Sequence, residues 1–456
     1  MRILLAPDSL KGTLSSGQAG KILEEAVLSL YPSWETEVIP MADGGEGTVE
    51  AMAAAAGGKA VVDPVTGPLG WPVQARSLRL PGDVAVMEMA EASGLLLVPE
   101  KKRNPLITST FGTGEMIDRA LARGDRHIYI GIGGSATCDG GMGAMEALGV
   151  RFLDRNGREL PGQGASLGRV ETIDLSGLHE GVEDMDLTIL SDVTSPLWGE
   201  RGAARVFGPQ KGADSAMVEK LEAGMVHYGK VLENTFGVDV EHLSGGGAAG
   251  GLGAALLLFL HGTMASGAEK VLELSHFDER LGTADLVVTG KGRTDRPSGE
   301  GKITGMIAAH CKKKGVPCVV LSGSLGEGWE SLLPMGADRI IPAVDVRGDR
   351  TAVDGWKTTT NETPEQSVER LAALGWDTFL VTSVERDGCG LGPDIALYER
   401  ILTLFPGLSI LAAGGTSTPA HIRALREARL AGAVLGRALY DGTLDLAEAF
   451  AEASEC

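Results

Sequence analysis

Residues 1–48 read MRILLAPDSLKGTLSSGQAGKILEEAVLSLYPSWETEVIPMADGGEGT. Ile3 to Ala6 is a short apolar run, a helix is expected from about Ser16 to Leu30, Glu37 to Pro40 is a second apolar run, and another helix is expected after Asp43. Short strands alternating with helices are the signature of βα units around a largely parallel sheet. The alternation continues, with strands expected at Val84 to Met89, His127 to Gly131, Leu187 to Leu190, Leu286 to Thr289 and Cys318 to Ser322. Several of these runs end in loops rich in Gly, Ser and Asp. Open α/β sheets bind ligands at the carboxyl ends of their strands, so chemistry is expected in those loops.

A chain of 456 residues is long enough for two or three domains. Its 66 glycines and 4% aromatics favour a loop-rich α/β enzyme over an aromatic-rich sandwich or nucleic-acid platform. The formal charge of −20 argues against broad binding to nucleic acid or anionic lipid, which reward a basic face. A small anionic substrate would need a local cluster of Lys, Arg and backbone N–H groups together with a divalent metal. The five cysteines are odd in number and lack metal-site spacing, as expected of reduced cytosolic thiols. Met1 to Ser9 has the form of a first strand and not of a leader, and the apolar stretch Gly250 to Leu260 is too short to cross a membrane and is expected to be a buried helix. The expected location is the cytoplasm.

Four features stand out. Pro7-Asp8-Ser9-Leu10-Lys11-Gly12 places a carboxylate, a hydroxyl and a lysine directly after the first strand, as suits a phosphate or metal site; the plainer reading is a turn in which Asp8 or Ser9 caps the next helix. Ala42-Asp43-Gly44-Gly45-Glu46-Gly47-Thr48 sets two carboxylates among glycines whose backbone can approach an anion closely, or is a capping box with extra glycine. Ile132-Gly133-Gly134-Ser135-Ala136-Thr137-Cys138-Asp139-Gly140-Gly141 has two glycine pairs flanking hydroxyls, the form of a phosphate-cradling loop, although no Walker sequence occurs. The fourth is a pair of acid-and-base clusters: Ser191-Asp192-Val193-Thr194 followed by Gly208-Pro209-Gln210-Lys211-Gly212, and Thr289 to Asp295 followed by Gly301-Lys302. Either cluster alone is weak, because charged loop residues are usually just solvated.

Composition changes after Asp338. Strands are expected from Ile340 onward, at Thr378 to Thr382, Ser409 to Ala413 and Gly432 to Gly436, with helices near Pro364 to Gly375, Asp394 to Phe405 and Pro419 to Arg426. That is four βα units in about 115 residues, roughly half of the ~250 of an eight-fold barrel.

The blocks APDSLKGTLSS, PMADGGEGTVEAM, GDVAVMEMAEASGLLLVP, RNPLITSTFGTGEMI, GIGGSATCDGGMGAMEALGVRF, SDVTSPLWGERGAARVFGPQKGA and GGGAAGGLGAALL stand in the order found in bacterial glycerate kinases, which residues 1 to about 340 resemble. The resemblance implies a two-domain α/β kinase fold: a flavodoxin-like, doubly wound domain from residues 1–70 and 280–340, with a second α/β domain, 71–279, inserted. It implies phosphoryl transfer from Mg-ATP to D-glycerate, at the 2-position, in a cleft between those domains. By the same resemblance Lys11 and Arg293 contact phosphates or the glycerate carboxylate, and Asp43, Glu46, Asp192 and Asp295 bind metal or accept the hydroxyl proton. Asp192, Asp295, Lys11 and Arg293 are the catalytic candidates, and Asp43 and Asp192 the Mg2+ candidates. Asp8, Ser9, Gly44, Gly45, Gly133, Gly134, Ser135, Thr137, Lys211 and Lys302 are expected to line the substrate or phosphate site. Two departures are visible: Lys291 stands where the family usually has Glu, and Cys138 where it usually has Asn. The family's terminal strand, loop and long helix are also replaced.

The replacement, about 341–456, resembles the second half of the histidine-biosynthesis ProFAR isomerase, a TIM barrel. Val344 to Trp356, Thr382 to Gly388, Ala412 to Ser417 and Leu435 to Tyr440 carry the likeness. It implies a (βα)4 half-barrel in which Asp345 is one of two catalytic aspartates, Thr382 lies beside it, and Gly414, Gly415, Gly436 and Arg437 form a phosphate site. The partner aspartate belongs to a first barrel strand that this chain lacks, so phosphosugar binding, or dimerisation that completes a barrel, is expected over independent isomerase activity. A half-barrel leaves an apolar edge that must be covered. Three readings stay open: a glycerate kinase with an appended half-barrel, a histidine-pathway protein whose tail pairs with another chain, and a non-catalytic assembly protein.

Overall fold

The computed structural model describes residues 1–9, 14–45, 47–292, 302–322, 331–337, 339–353, 356, 358–373 and 375–454. The chain forms two compact units, one built on Met1–Thr289 and the other on Ala337–Cys456; of the pieces between them, the one containing Lys302 falls in the first and the one containing Val319 in the second.

In the first unit the apolar strand Arg2–Pro7 is buried along nearly its whole length and pairs in parallel with Glu35–Val38, with Arg2 opposite Glu35 and Leu5 opposite Val38. The second strand therefore starts and ends two residues earlier than the expected Glu37 to Pro40. Between them runs the helix Ser16–Leu30, whose N-terminus is closed by a reciprocal capping box of Ser15 and Gln18. That observation corrects the plainer reading of the first loop: Ser15 caps the helix, leaving Asp8 and Ser9 outside the cap. The helix expected after Asp43 begins at Thr48 and ends at Ala56.

A six-stranded sheet is the other large sheet of this unit. Val84–Glu88, His127–Gly131, Asp186–Leu190 and Thr263–Ala265 run parallel, and Pro72–Leu80 and Lys59–Thr66 extend the sheet as antiparallel strands that the apolar-run pattern missed. The missed pair alternates exposed and buried residues, as half-exposed strands do, so no continuous apolar run marks it. Helices Phe111–Ala122, Ser215–Phe236 and Leu252–Phe259 contribute to the main core, with Tyr228, Phe152 and Phe259 among its largest fully buried side chains. The apolar stretch 250–260 is thus a buried helix, and among the described residues no helix is long and apolar enough to cross a membrane.

In the second unit, Cys318–Ser322 pairs in parallel with Arg339–Ile341. After Pro342 the chain continues at once as Ala343–Arg347, which pairs with Thr378–Ser383 in a different sheet. Pro342 has no N–H to donate but its carbonyl accepts from Leu380, so the change of sheet falls on the residue that needs only one partner. The parallel order Ala343–Arg347, Thr378–Ser383, Ser409–Ala413, Gly432–Val434 matches the expected strands, and Arg350–Val353 and Thr358–Thr359 add an antiparallel edge. Alternate residues Val344, Val346, Phe379, Val381, Ile410 and Ala412 share one core with Val368, Leu371, Leu397, Tyr398, Ile401 and Leu425 of the intervening helices.

Candidate active site

Parallel register brings the strand ends of the large sheet together: Glu88 lies opposite Gly131, Gly131 opposite Leu190, and Leu190 opposite Ala265. The loops that follow, beginning at Met89, Ile132, Ser191 and Ser266, therefore open on one side of the sheet. The Asp43 loop reaches them from the other sheet, and glycines permit the approach. A Cβ on Gly133 would lie 2.8 Å from Gly45 Cα, one on Gly131 would lie 2.6 Å from the Gly44 carbonyl oxygen, and one on Gly267 would lie 2.5 Å from Gly44 Cα. Gly44 itself has φ +87, a left-handed conformation that a side chain would strain.

This crossing places three charged side chains in one cluster. Lys302 Nζ stands 3.3 Å from Asp43 Oδ2 and 3.7 Å from Asp192 Oδ2, with all three side chains largely shielded from solvent. Burial works to lower the Lys302 pKa, yet Asp43 and Asp192, with Asp8 adding its field, hold it above the ordinary lysine value. Asp192 is raised: burial disfavours its charge, Lys302 and the Ser266 hydroxyl favour it, and Asp43 repels it. Asp8 is buried and accepts from the Ser9 backbone N–H at 2.7 Å. Two carboxylates facing one cation are also the donor set that hard Mg2+ takes from proteins, one or two carboxylates with the remainder supplied by phosphates and water. Among the described residues no group of three or more His, Cys, Asp or Glu is arranged to hold a metal.

Of the 132–141 loop, Gly133 lies against Gly45 of the Asp43 loop, and Gly134, Ser135 and Thr137 follow it along the chain. Gly134 takes φ +76, and the loop is tied by Leu95 N–H to the Gly134 carbonyl at 2.8 Å and by Ala136 N–H to the Ser93 carbonyl at 2.9 Å. Lys211 packs against this loop: it is 2% exposed, and its Nζ donates to Ser135 Oγ and the Thr137 carbonyl, each at 2.7 Å. Cys138 is fully buried in the main core, which accounts for an apolar thiol at that position. Lys11, Glu46, Arg293 and Asp295 lie outside the described residues, and Lys291 closes the strand Leu286–Lys291.

Three contributors were not singled out from the sequence. Glu88 is buried and accepts from Gly47 N–H at 3.2 Å and Val49 N–H at 2.6 Å, closing the N-terminus of Thr48–Ala56, whose N-cap residue Gly47 has no side chain to do so. An acid ending the apolar run Val84 to Met89 was the available signal. Ser266 bonds Asp192 and also accepts from Glu269 N–H, capping Gly267–Leu274. Asp139, buried, accepts from Thr110 N–H and Oγ1, Gly141 N–H and Gly143 N–H; burial nevertheless raises its pKa.

In the second unit Asp345 and Thr382 are register partners, and their side chains hydrogen-bond. Burial raises the Asp345 pKa, the bonds from Thr382 and Trp356 oppose that, and Asp387, a second nearby carboxylate, adds to it. Gly414 and Gly415 take φ +95 and +80, and a Cβ on either would strike the Ser383 or Gly392 carbonyl at 2.6 or 2.3 Å. Arg437 is spent on its surroundings, donating to the Gly388 carbonyl at 3.1 Å and to Asp441 at 2.9 Å. A Cβ on Gly436 would meet nothing, so close packing does not require glycine there.

The glycerate kinase family pattern matches residues 3–374. The chain belongs to the glycerate kinase family. Glycerate 2-kinase of Escherichia coli K12 is 46% identical over 342 residues, covering 75% of this chain and 90% of the relative. Glycerate kinase of Halalkalibacterium halodurans is 44% identical over 338 residues, 74% of this chain and 89% of the relative. The crystal structure of a Salmonella typhimurium LT2 protein assigned as glycerate kinase 2 superimposes with a TM-score of 0.65 at 41% identity, covering 75% of this chain and 90% of that one. The family part has the α/β fold of that kinase structure. Residues 329–445 separately match the histidine biosynthesis protein pattern, so 329–374 carries both matches.

Proposed function

We propose that the chain transfers the γ-phosphoryl group of ATP to a hydroxyl of D-glycerate, at the 2-position by analogy with the Escherichia coli relative. The observation that carries this reading is the Asp43–Lys302–Asp192 cluster at the crossing of three glycine-lined loops. Phosphoryl transfer needs positioning and charge stabilisation more than covalent chemistry from the protein. Backbone N–H groups of Gly133 to Ser135 suit an anionic group, and Lys302 supplies a cation that the surrounding carboxylates keep protonated. Asp192, made more basic by burial, is assigned to accept the hydroxyl proton. Asp43 would hold Mg2+, which neutralises phosphate oxygens when bound, leaving Asp192 for the proton. Lys11, Glu46, Arg293 and Asp295 keep the roles that the resemblance implies, on phosphate, carboxylate and metal. The domain arrangement that fits is flavodoxin-like 1–70 and 280–340, inserted 71–279 and half-barrel 341–456, and an ATP-consuming enzyme of this kind belongs in the cytoplasm.

For the tail we infer phosphate or phosphosugar binding, with self-association through the half-barrel. The Asp345–Thr382 bond and the positive-φ pair Gly414 and Gly415 favour that reading. A coupled ATP assay with D-glycerate and Mg2+ tests the kinase assignment. Turnover is expected, falling by about 10²–10⁴ in Asp192→Asn with the fold retained; an inactive, well-folded parent that Lys291→Glu revives would make the present chain a disabled scaffold.

A further inference from the structure

We propose that Lys211 is a positioning residue that sets the shape of the 132–141 loop and does not touch the substrate. This rests on the kinase reading of that loop and assigns Lys211 a role different from direct phosphate contact. Lys211 ends the short turn Pro209–Lys211, where Gly212 takes φ +94 against the Arg103 backbone and leaves the lysine pointing inward. Its ammonium joins Ser135 Oγ to the Thr137 carbonyl, two residues apart, so one cation fixes both the hydroxyl and the backbone that follows. Other bonds fasten the same loop: Thr108 Oγ1 on the carbonyl of Ala136, the residue between Ser135 and Thr137, at 2.9 Å, and Gly140 N–H on the Gly250 carbonyl at 3.0 Å.

Stability does not explain this lysine. Among the described residues its Nζ bonds the neutral Ser135 hydroxyl and Thr137 carbonyl and forms no ion pair, and burial lowers its pKa, only partly offset by Cys138 and Asp139. A buried ammonium without an ion-pair partner is costly, and an apolar side chain of similar volume is commonly neutral or stabilising in its place. What the charge provides is geometry, because an apolar side chain cannot bond Ser135 and Thr137. Thr137 Oγ1 is buried without a hydrogen-bond partner in the same loop, so the Thr137 side chain adds no bond of its own to the one its carbonyl accepts from Lys211.

The test compares the full-length parent with Lys211→Met and Lys211→Gln, measuring kcat, KM for D-glycerate and for ATP, thermal midpoint, and amide hydrogen exchange across 132–141. Expected for Lys211→Met is a kcat lower by about 100-fold, the scale of a small misplacement of reacting groups, with both KM values within about threefold and a midpoint equal to or above the parent's. Lys211→Gln, which retains one donor group, falls between. Exchange across 132–141 rises at least several-fold in Lys211→Met and is unchanged elsewhere. A raised KM at parental kcat would make Lys211 a ligand contact and overturn the proposal. So would a lowered midpoint, or failure of both variants to fold, which would make it structural. An inactive parent overturns the kinase reading alone; the exchange measurement still decides the clamp, and unchanged protection across 132–141 refutes it.

Discussion

Asp192 shows how a single side chain's surroundings set its chemistry. Its pKa is raised chiefly by burial, while Lys302 and the Ser266 hydroxyl favour the ionised form. In its proposed role of proton acceptor it works only when ionised, so kcat/KM should fall as pH falls through a value above the ordinary aspartate pKa of about 3.9. Ser266→Ala removes a bond to the ionised form and should move that acidic limb to higher pH, read from a pH–rate profile; a limb that stays put would remove Asp192 from the role. The sign for stability is opposite. A raised folded pKa means the folded state holds the proton more tightly, so this group favours folding below its unfolded pKa and that contribution is lost as pH rises through the folded value. Asp43, Asp192 and Lys302 were all legible as candidates because each sits in a strand-end loop of unusual composition. Ser266 was not legible, since its relation to Asp192 exists only once two parallel strands are in register.

Between elements, close packing of loop against loop matters more than any one charge. The start of the helix Gly267–Leu274 sits on the Asp43 loop so closely that a Cβ on Gly267 would meet Asp43 O, Gly44 N and Gly44 Cα, all at 2.5 Å. Those are backbone atoms that cannot swing aside. Gly267→Ala should cost about 1–3 kcal/mol by overpacking and lower kcat by displacing Asp43, measured by chemical denaturation alongside the assay. Ser15→Ala offers the contrast: it removes the cap of Ser16–Leu30 and should cost about 1 kcal/mol while leaving kcat near the parent's. The parallel strands were readable as apolar runs. The antiparallel pair Lys59–Thr66 and Pro72–Leu80 was not, because alternating burial looks like ordinary polar chain until a neighbouring strand is known.

For the whole molecule, the two family matches and the core disagree about where the kinase part ends. The glycerate kinase match stops at 374, yet Val344, Val346, Val368 and Leu371 share one core with Phe379, Val381, Tyr398 and Ile410 beyond it. A chain cut at 374 should therefore expose apolar surface and aggregate, seen by size-exclusion chromatography, despite containing the entire matched region. A soluble, monomeric 1–374 fragment would show instead that the core is divisible there. By itself the sequence determined the α/β class, the two-part make-up and the family, because these are recorded in local runs, spacings and ordered blocks. Only the tertiary structure decided which loops meet, that Lys302 stands between Asp43 and Asp192, that Lys211 bonds Ser135 and Thr137 of the 132–141 loop, and that the strand through Pro342 changes sheets. Those facts depend on register and on backbone approach between residues as far apart as Asp43 and Lys302, and no local pattern encodes a distance of that kind.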